Sequence, residues 1–169
     1  SEKVFSCGLR VSNLYRVYDV GKNKDAGTFS DSFFIDGPNT CCGVYRKDVL
    51  EELKEDSYFD NDFFFLFEDA DLALRLKQKG HKCLFVPDLI SYHHGASTQI
   101  SKEFRRFLCF RNRMFMILKH NKGKYLFLFF LKSFIYDLFR ALHFLITSPY
   151  SIKAVKEIML YKRRISRKS

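Results

Sequence analysis

Three carboxylates crowd into four residues at Glu68, Asp69 and Asp71, and two adjacent imidazoles, His93 and His94, follow further along the chain. A carboxylate beside an imidazole can act as a base together with a metal ligand. Two ring nitrogens in a polar turn can also bind metal. Each group has a plainer reading. Acidic residues at a helix start complement the helix dipole, and a histidine after a strand is often simply hydrogen-bonded. Arg111-Asn112-Arg113 lies on a helical stretch and reads either as a phosphate site or as one solvated face. The terminal run KRRISRK reads as a solvated charge run.

The elements that must position these residues follow from local pattern. The acidic trio stands where a helix begins, Leu72 and Leu76 supply its apolar side, and Lys77 and Lys79 close its last turn ahead of Gly80. A helix of about 11 residues is ~16 Å long, and a strand starting at Lys82 covers a similar distance back at about 3.3 Å per residue. Matched lengths return the chain to the edge it left. Asp69 and His93 should therefore be neighbours at a sheet edge, where open α/β folds place their sites.

Elsewhere the pattern predicts strands over 6–11 and 15–20, with a polar loop over 21–32. GPNT at 37–40 signals a turn leading into CCGVY, read as a buried strand. Helices are expected over about 47–54, 101–119 and 125–146, with a last one starting near Ser151. The segment 125–146 is strongly apolar but interrupted by Lys132, Asp137, Arg140 and His143, which suits an amphipathic rather than a spanning helix.

Charge divides the chain. Residues 1–100 carry 12 Lys and Arg against 16 Asp and Glu, and residues 101–169 carry 17 against 3, so nets of −4 and +14 sum to +10. The basic end implies an anionic partner such as a membrane surface or a lipid diphosphate. Broad apolar faces flanked by Lys and Arg fit a monotopic helix pair, although packing on the domain or on a partner would also use them. No nucleic-acid-binding module is recognisable. Five cysteines without CxxC spacing suggest reduced thiols in a cytosolic setting. The adjacent Cys41 and Cys42 read as strand packing rather than redox chemistry.

The ordered blocks GPNTCCGVYRKDVLEEL, FDNDFFFLFEDADLALRLKQKGHKCLFVPD, SYHHG and FRRFLCFRNRMFMILK resemble family 2 glycosyltransferases of the rhamnosyltransferase and galactofuranosyltransferase kind, over roughly residues 5–120. The resemblance implies an α/β chain forming the C-terminal part of a GT-A (Rossmann-like) fold. Residues 1–120 would be its acceptor and catalytic half, and 121–169 a basic amphipathic helical tail. It implies that Asp69 is the catalytic base and that His93 ligates a divalent metal, Mg²⁺ or Mn²⁺, with His94 the weaker alternative. Glu68 and Asp71 would shape the acceptor pocket or hold the helix start. Apart from the resemblance, Arg111 and Arg113 stand as the candidates for substrate phosphate.

The implied reaction is inverting transfer from a nucleotide-sugar to a lipid-linked or polysaccharide acceptor, in polysaccharide biosynthesis at the cytoplasmic face of the membrane. The nucleotide-binding half and its Asp-x-Asp metal motif are expected on residues other than these, a separate chain being one such arrangement. The alternative expectation is a catalytically silent membrane-binding or interaction module derived from such an enzyme.

Overall fold

A computed structural model describes residues 3–93 and 100–167. The chain is mixed α/β, about 51% helical, with two small antiparallel sheets. Strands β1 (Leu9–Val11) and β2 (Val17–Asp19) form one hairpin, in register Leu9 to Asp19 and Val11 to Val17. Strand β3 (Phe33–Ile35) pairs antiparallel with β4 (Cys83–Phe85), Phe33 opposite Phe85. Between them run α1 (Lys47–Leu53) and α2 (Glu68–Gln78); α3 (Lys102–His120), α4 (Lys124–Thr147) and α5 (Ser151–Arg167) follow. The pairings among the described residues are antiparallel, so the parallel sheet of a Rossmann-like half is not among them.

The chain divides into two compact units: 1–64 with 68–97, and 65–67 with 98–169. The first is built on α2. Leu72 and Leu76 are buried with Leu53, and Tyr45, Val49, Leu50 and Phe59 pack around them. The helix ends as its sequence demands. Gly80 has φ +81°, His81 N–H reaches back to Leu76 O and Gly80 N–H to Lys77 O, which is a Schellman closure.

A buried ion pair braces α2. Asp71, fully buried, accepts from Arg75 Nε at 2.9 Å. Arg75 also donates to Leu53 O at 2.8 Å and Tyr58 O at 2.6 Å, which ties the end of α1 to α2.

The expected strand at CCGVY is instead a turn and irregular chain, exposed at Cys41, Cys42 and Val44, with only Tyr45 packed inward. Asn39 is the reason. Its side-chain oxygen accepts from Cys41 N–H at 3.1 Å, and its carbonyl accepts from Cys42 N–H at 3.1 Å. Local capture of these amides outcompetes a ladder. The expected packing role of Cys41 and Cys42 falls with it, since both are exposed. Strand β3 goes unannounced in the sequence reading.

In the second unit α3 packs chiefly on α5 and also on α4, so α3 belongs with the two C-terminal helices. Ser101 caps α3 by accepting from Phe104 N–H at 3.1 Å. Phe107, Leu108, Phe144 and Ala154 form its apolar centre, with Phe110 stacked on Phe144 and Phe115 on Tyr161. No helix among the described residues is long and apolar enough to cross a membrane.

Candidate active site

The site in the first unit is organised by the start of α2 and by the turn at 37–42. Gly37 lets these approach. A Cβ there would lie 2.5 Å from the Ala73 Cβ, so only glycine permits this contact between turn and helix. The Gly37 carbonyl is held by Leu9 N–H at 2.7 Å. The turn is anchored to β2, where Asn39 Nδ2 donates to Asp19 at 2.9 Å.

Asp69 is half-buried in the first turn of α2; its carboxylate accepts from the backbone N–H of Ala70 at 2.8 Å, and the backbone N–H of Thr40 also favours its charged form. Burial raises its pKa above the usual carboxylate value, with the charge of Asp19 adding to the effect and those backbone donors opposing it. A raised carboxylate is a stronger base than a solvated one, which is the direction general-base chemistry needs. Two neighbours feel its charge. Burial and then Asp69 raise the Tyr45 phenol, keeping it protonated. Burial, Asp69 and Asp19 together raise the Cys41 thiol.

An open cleft of about 520 Å³ lies at the start of α2, against Glu68, the residue before Asp69. It is lined by Thr40, Phe59, Asp60, Asn61, Phe64 and Glu68. Burial raises the pKa of Glu68, with the charge of Asp69 adding to it. Its Oε2 is buried and accepts no hydrogen bond from the described residues. Phe64 stands 75% exposed at φ +60°, so an apolar ring faces solvent from a backbone conformation that L-residues rarely adopt. An aromatic ring beside carboxylates and an amide offers apolar contact together with hydrogen-bond acceptors and donors, the mixture a polyhydroxylated ligand uses.

The remaining sequence candidates lie as follows. His93 is exposed, its Nε2 4.0 Å from Cys41 Sγ and its ring 4.4 Å from that of Phe5. Asp69 and His93 thus flank the same Thr40–Cys41 step. His94 lies outside the described residues. No cluster of three or more His, Cys, Asp or Glu able to hold a metal ion occurs among the described residues. A thiol and a phenyl ring around one imidazole do not fit a hard, oxygen-seeking Mg²⁺ or Mn²⁺. Asp71 is occupied with Arg75 and does not line the cleft.

Arg111 and Arg113 lie within the second unit and are buried there. Arg111 donates to Glu157 at 2.7 Å and lies over the Phe107 and Phe115 rings. Arg113 pairs with Asp137 on α4 and lies over Tyr136. Both guanidinium groups therefore hold helices together, and the phosphate contact expected of them has no open cation in this arrangement. Between them Asn112 donates to the carbonyls of Phe65, at 2.8 Å, and Leu66, at 2.7 Å. Leu66 and Phe67 have φ of +69° and +73°, a strained run held by these two bonds.

Sequence reasoning missed Thr40, Asn61 and Phe64 because a cleft gathers them from separate turns. It also missed Asn112 as a clamp. Its signal was present: residues 108, 112 and 115 share one helical face, so a polar side chain there faces the core and must find partners. The chain matches no family model, no curated protein and no solved structure.

Proposed function

We propose that this chain is the acceptor-side, base-bearing half of an inverting glycosyltransferase of the GT-A kind. In this reading an acceptor hydroxyl lies in the cleft beside the start of α2. Its oxygen attacks the anomeric carbon of a nucleotide-sugar, and the bond from that carbon to the phosphate oxygen breaks. The nucleoside diphosphate leaves with the bonding electron pair, and Asp69 takes the hydroxyl proton. The anomeric configuration inverts.

The observation that carries the reading is Asp69 itself: a carboxylate raised by burial, held by the Ala70 N–H, on a helix whose first residue, Glu68, lines an open cleft with aromatic and polar walls. Thr40 links the two, because its backbone N–H favours the Asp69 charge while the residue lines the cleft. Glu68 supplies a second carboxylate to the acceptor side. No step is routed through a metal ion. The nucleotide-binding groups belong to residues other than these. The acceptor class is a lipid-linked or polysaccharide glycan, and the protein works peripherally at the cytoplasmic membrane face, as its basic second half suggests.

A second reading, a silent membrane-binding or interaction module, is favoured by one observation: α4 leaves a row of large apolar side chains exposed. Calorimetric titration of the chain with a panel of short oligosaccharides separates the two. Saturable binding weakened by Phe64→Ala and Asn61→Ala supports the acceptor half. A panel that gives no heat, or binding indifferent to both substitutions, favours the silent module.

A further inference from the structure

Helix α4 uses only one side to pack. Phe129, Ser133 and Phe144 are buried, and Asp137 pairs with Arg113 of α3. The opposite side carries Phe127, Leu131, Phe134, Leu138, Leu142 and Leu145 at intervals of three and four, every one at least 41% exposed. At 100° per residue these lie on one stripe, and Ile135, Phe139 and Ile146, between 69% and 82% exposed, widen it. Isolated exposed apolar residues are ordinary in folded proteins, but a continuous face of this length marks a docking surface.

Charge selects the occupant. Lys124 and Lys132 border the stripe, and Tyr125, 63% exposed, stands at its amino end. On α5, Lys156 and Arg163 are exposed at i and i+7, in line with exposed Ile152 and Met159. Among the residues of the second unit from 101 onward, 17 Lys and Arg stand against 3 Asp and Glu. The three acids are Glu103, Asp137 and Glu157, and the last two are engaged with Arg113 and Arg111. An apolar face on a unit of strongly positive net charge matches an anionic bilayer, whose acyl region takes the rings while its headgroups take the ammonium and guanidinium groups. A second copy of the chain would bring the same positive charge to the same place.

We infer that α4 is an in-plane membrane helix, its Phe127–Leu145 stripe seated at the headgroup–acyl boundary of an anionic bilayer. The inference rests on the peripheral membrane location proposed above and specifies the element that makes it. It does not depend on sugar transfer.

The chain contains no tryptophan, so Phe134→Trp installs a single reporter in the middle of the stripe. The full chain is mixed with phosphatidylcholine vesicles with and without about one-third phosphatidylglycerol. The expected result is flotation with the anionic vesicles only, a blue shift of the Trp emission, and quenching by lipids brominated near the top of the acyl chain. Phe134→Glu with Leu138→Glu should weaken vesicle binding at least about tenfold, with circular dichroism checking that the helices persist. Lys156→Gln with Arg163→Gln should weaken it without touching the stripe.

Flotation with an unshifted, unquenched Trp overturns the insertion of α4 while leaving a peripheral location intact. Failure to float at low salt overturns both. A concentration-dependent dimer that the Glu pair dissolves, without vesicle binding, assigns the face to a second copy and also overturns the inference.

Discussion

Asp71→Ala should destabilise the first unit severely, although Asp71 lies outside the cleft. The carboxylate is fully buried and its partner Arg75 is 7% exposed. Removing it leaves a guanidinium in the interior without its counter-ion. Breaking a buried pair from one side costs about 3–5 kcal/mol. Arg75 would keep its bonds to Leu53 O and Tyr58 O, each contributing about 1.5–3 kcal/mol as a charged bond. These hold the guanidinium in place, so the lower end, about 3 kcal/mol, is expected. An exposed pair would contribute no more than about 1 kcal/mol. Against a domain stability of about 5–15 kcal/mol this is a large loss.

Urea unfolding followed by circular dichroism gives the value, with an unchanged slope showing that stability rather than compactness has moved. The double substitution Asp71→Leu with Arg75→Met removes both charges and should recover most of the loss. A cost below about 1 kcal/mol for Asp71→Ala would refute the assignment of this pair as the brace of α2.

Four further outcomes are expected. Asp137→Ala strips Arg113 of its carboxylate and should cost about 3 kcal/mol, read by denaturation and by faster amide exchange along α4. Gly37→Ala drives a methyl into Ala73 and should cost about 1–3 kcal/mol, with NMR shift changes at Thr40 and Cys41. Ser101→Ala should cost about 1 kcal/mol and speed exchange in the first turn of α3 alone. Asp69→Asn should raise the melting temperature at neutral pH and leave it unchanged at strongly acid pH. The sign follows from the raised pKa. The folded state binds the proton more readily, so the ionisation penalty is absent below the unfolded pKa, about 3.9, and grows as pH rises through the folded value. A variant that melts lower than wild type at neutral pH would contradict the buried, costly carboxylate.

Helices α2 and α3 were legible in the sequence because each carries both a period and its own punctuation. Helix α2 announces itself by acids at its start and Gly80 past its end, and α3 by Ser101 ahead of an apolar period. The short strands were less so. Phe33–Ile35 is only three residues long and follows a polar loop, too few for alternation to register. CCGVY has strand-like composition, but one asparagine side chain two residues upstream decides its backbone. Near the start of α2, the proximity of Asp69 and His93 was legible from matched element lengths, since both lie by the Thr40–Cys41 turn. The cleft was not, since Phe59, Asn61 and Phe64 have no periodic relation to Thr40. Arg111 and Arg113 misled because a doublet of cations looks solvated until the carboxylates of Asp137 and Glu157, far along the chain, are brought to it.

The most direct test of Asp69 as the base is acceptor-dependent release of nucleoside diphosphate from UDP- and dTDP-sugars. It is run with the chain alone and with a nucleotide-binding half supplied in trans, for wild type and Asp69→Asn. The expected result is release by the wild type and a loss of at least about 100-fold in the variant, with donor affinity nearly unchanged. Equal release by the two proteins, or no acceptor-dependent release in either arrangement, would contradict the proposed chemistry.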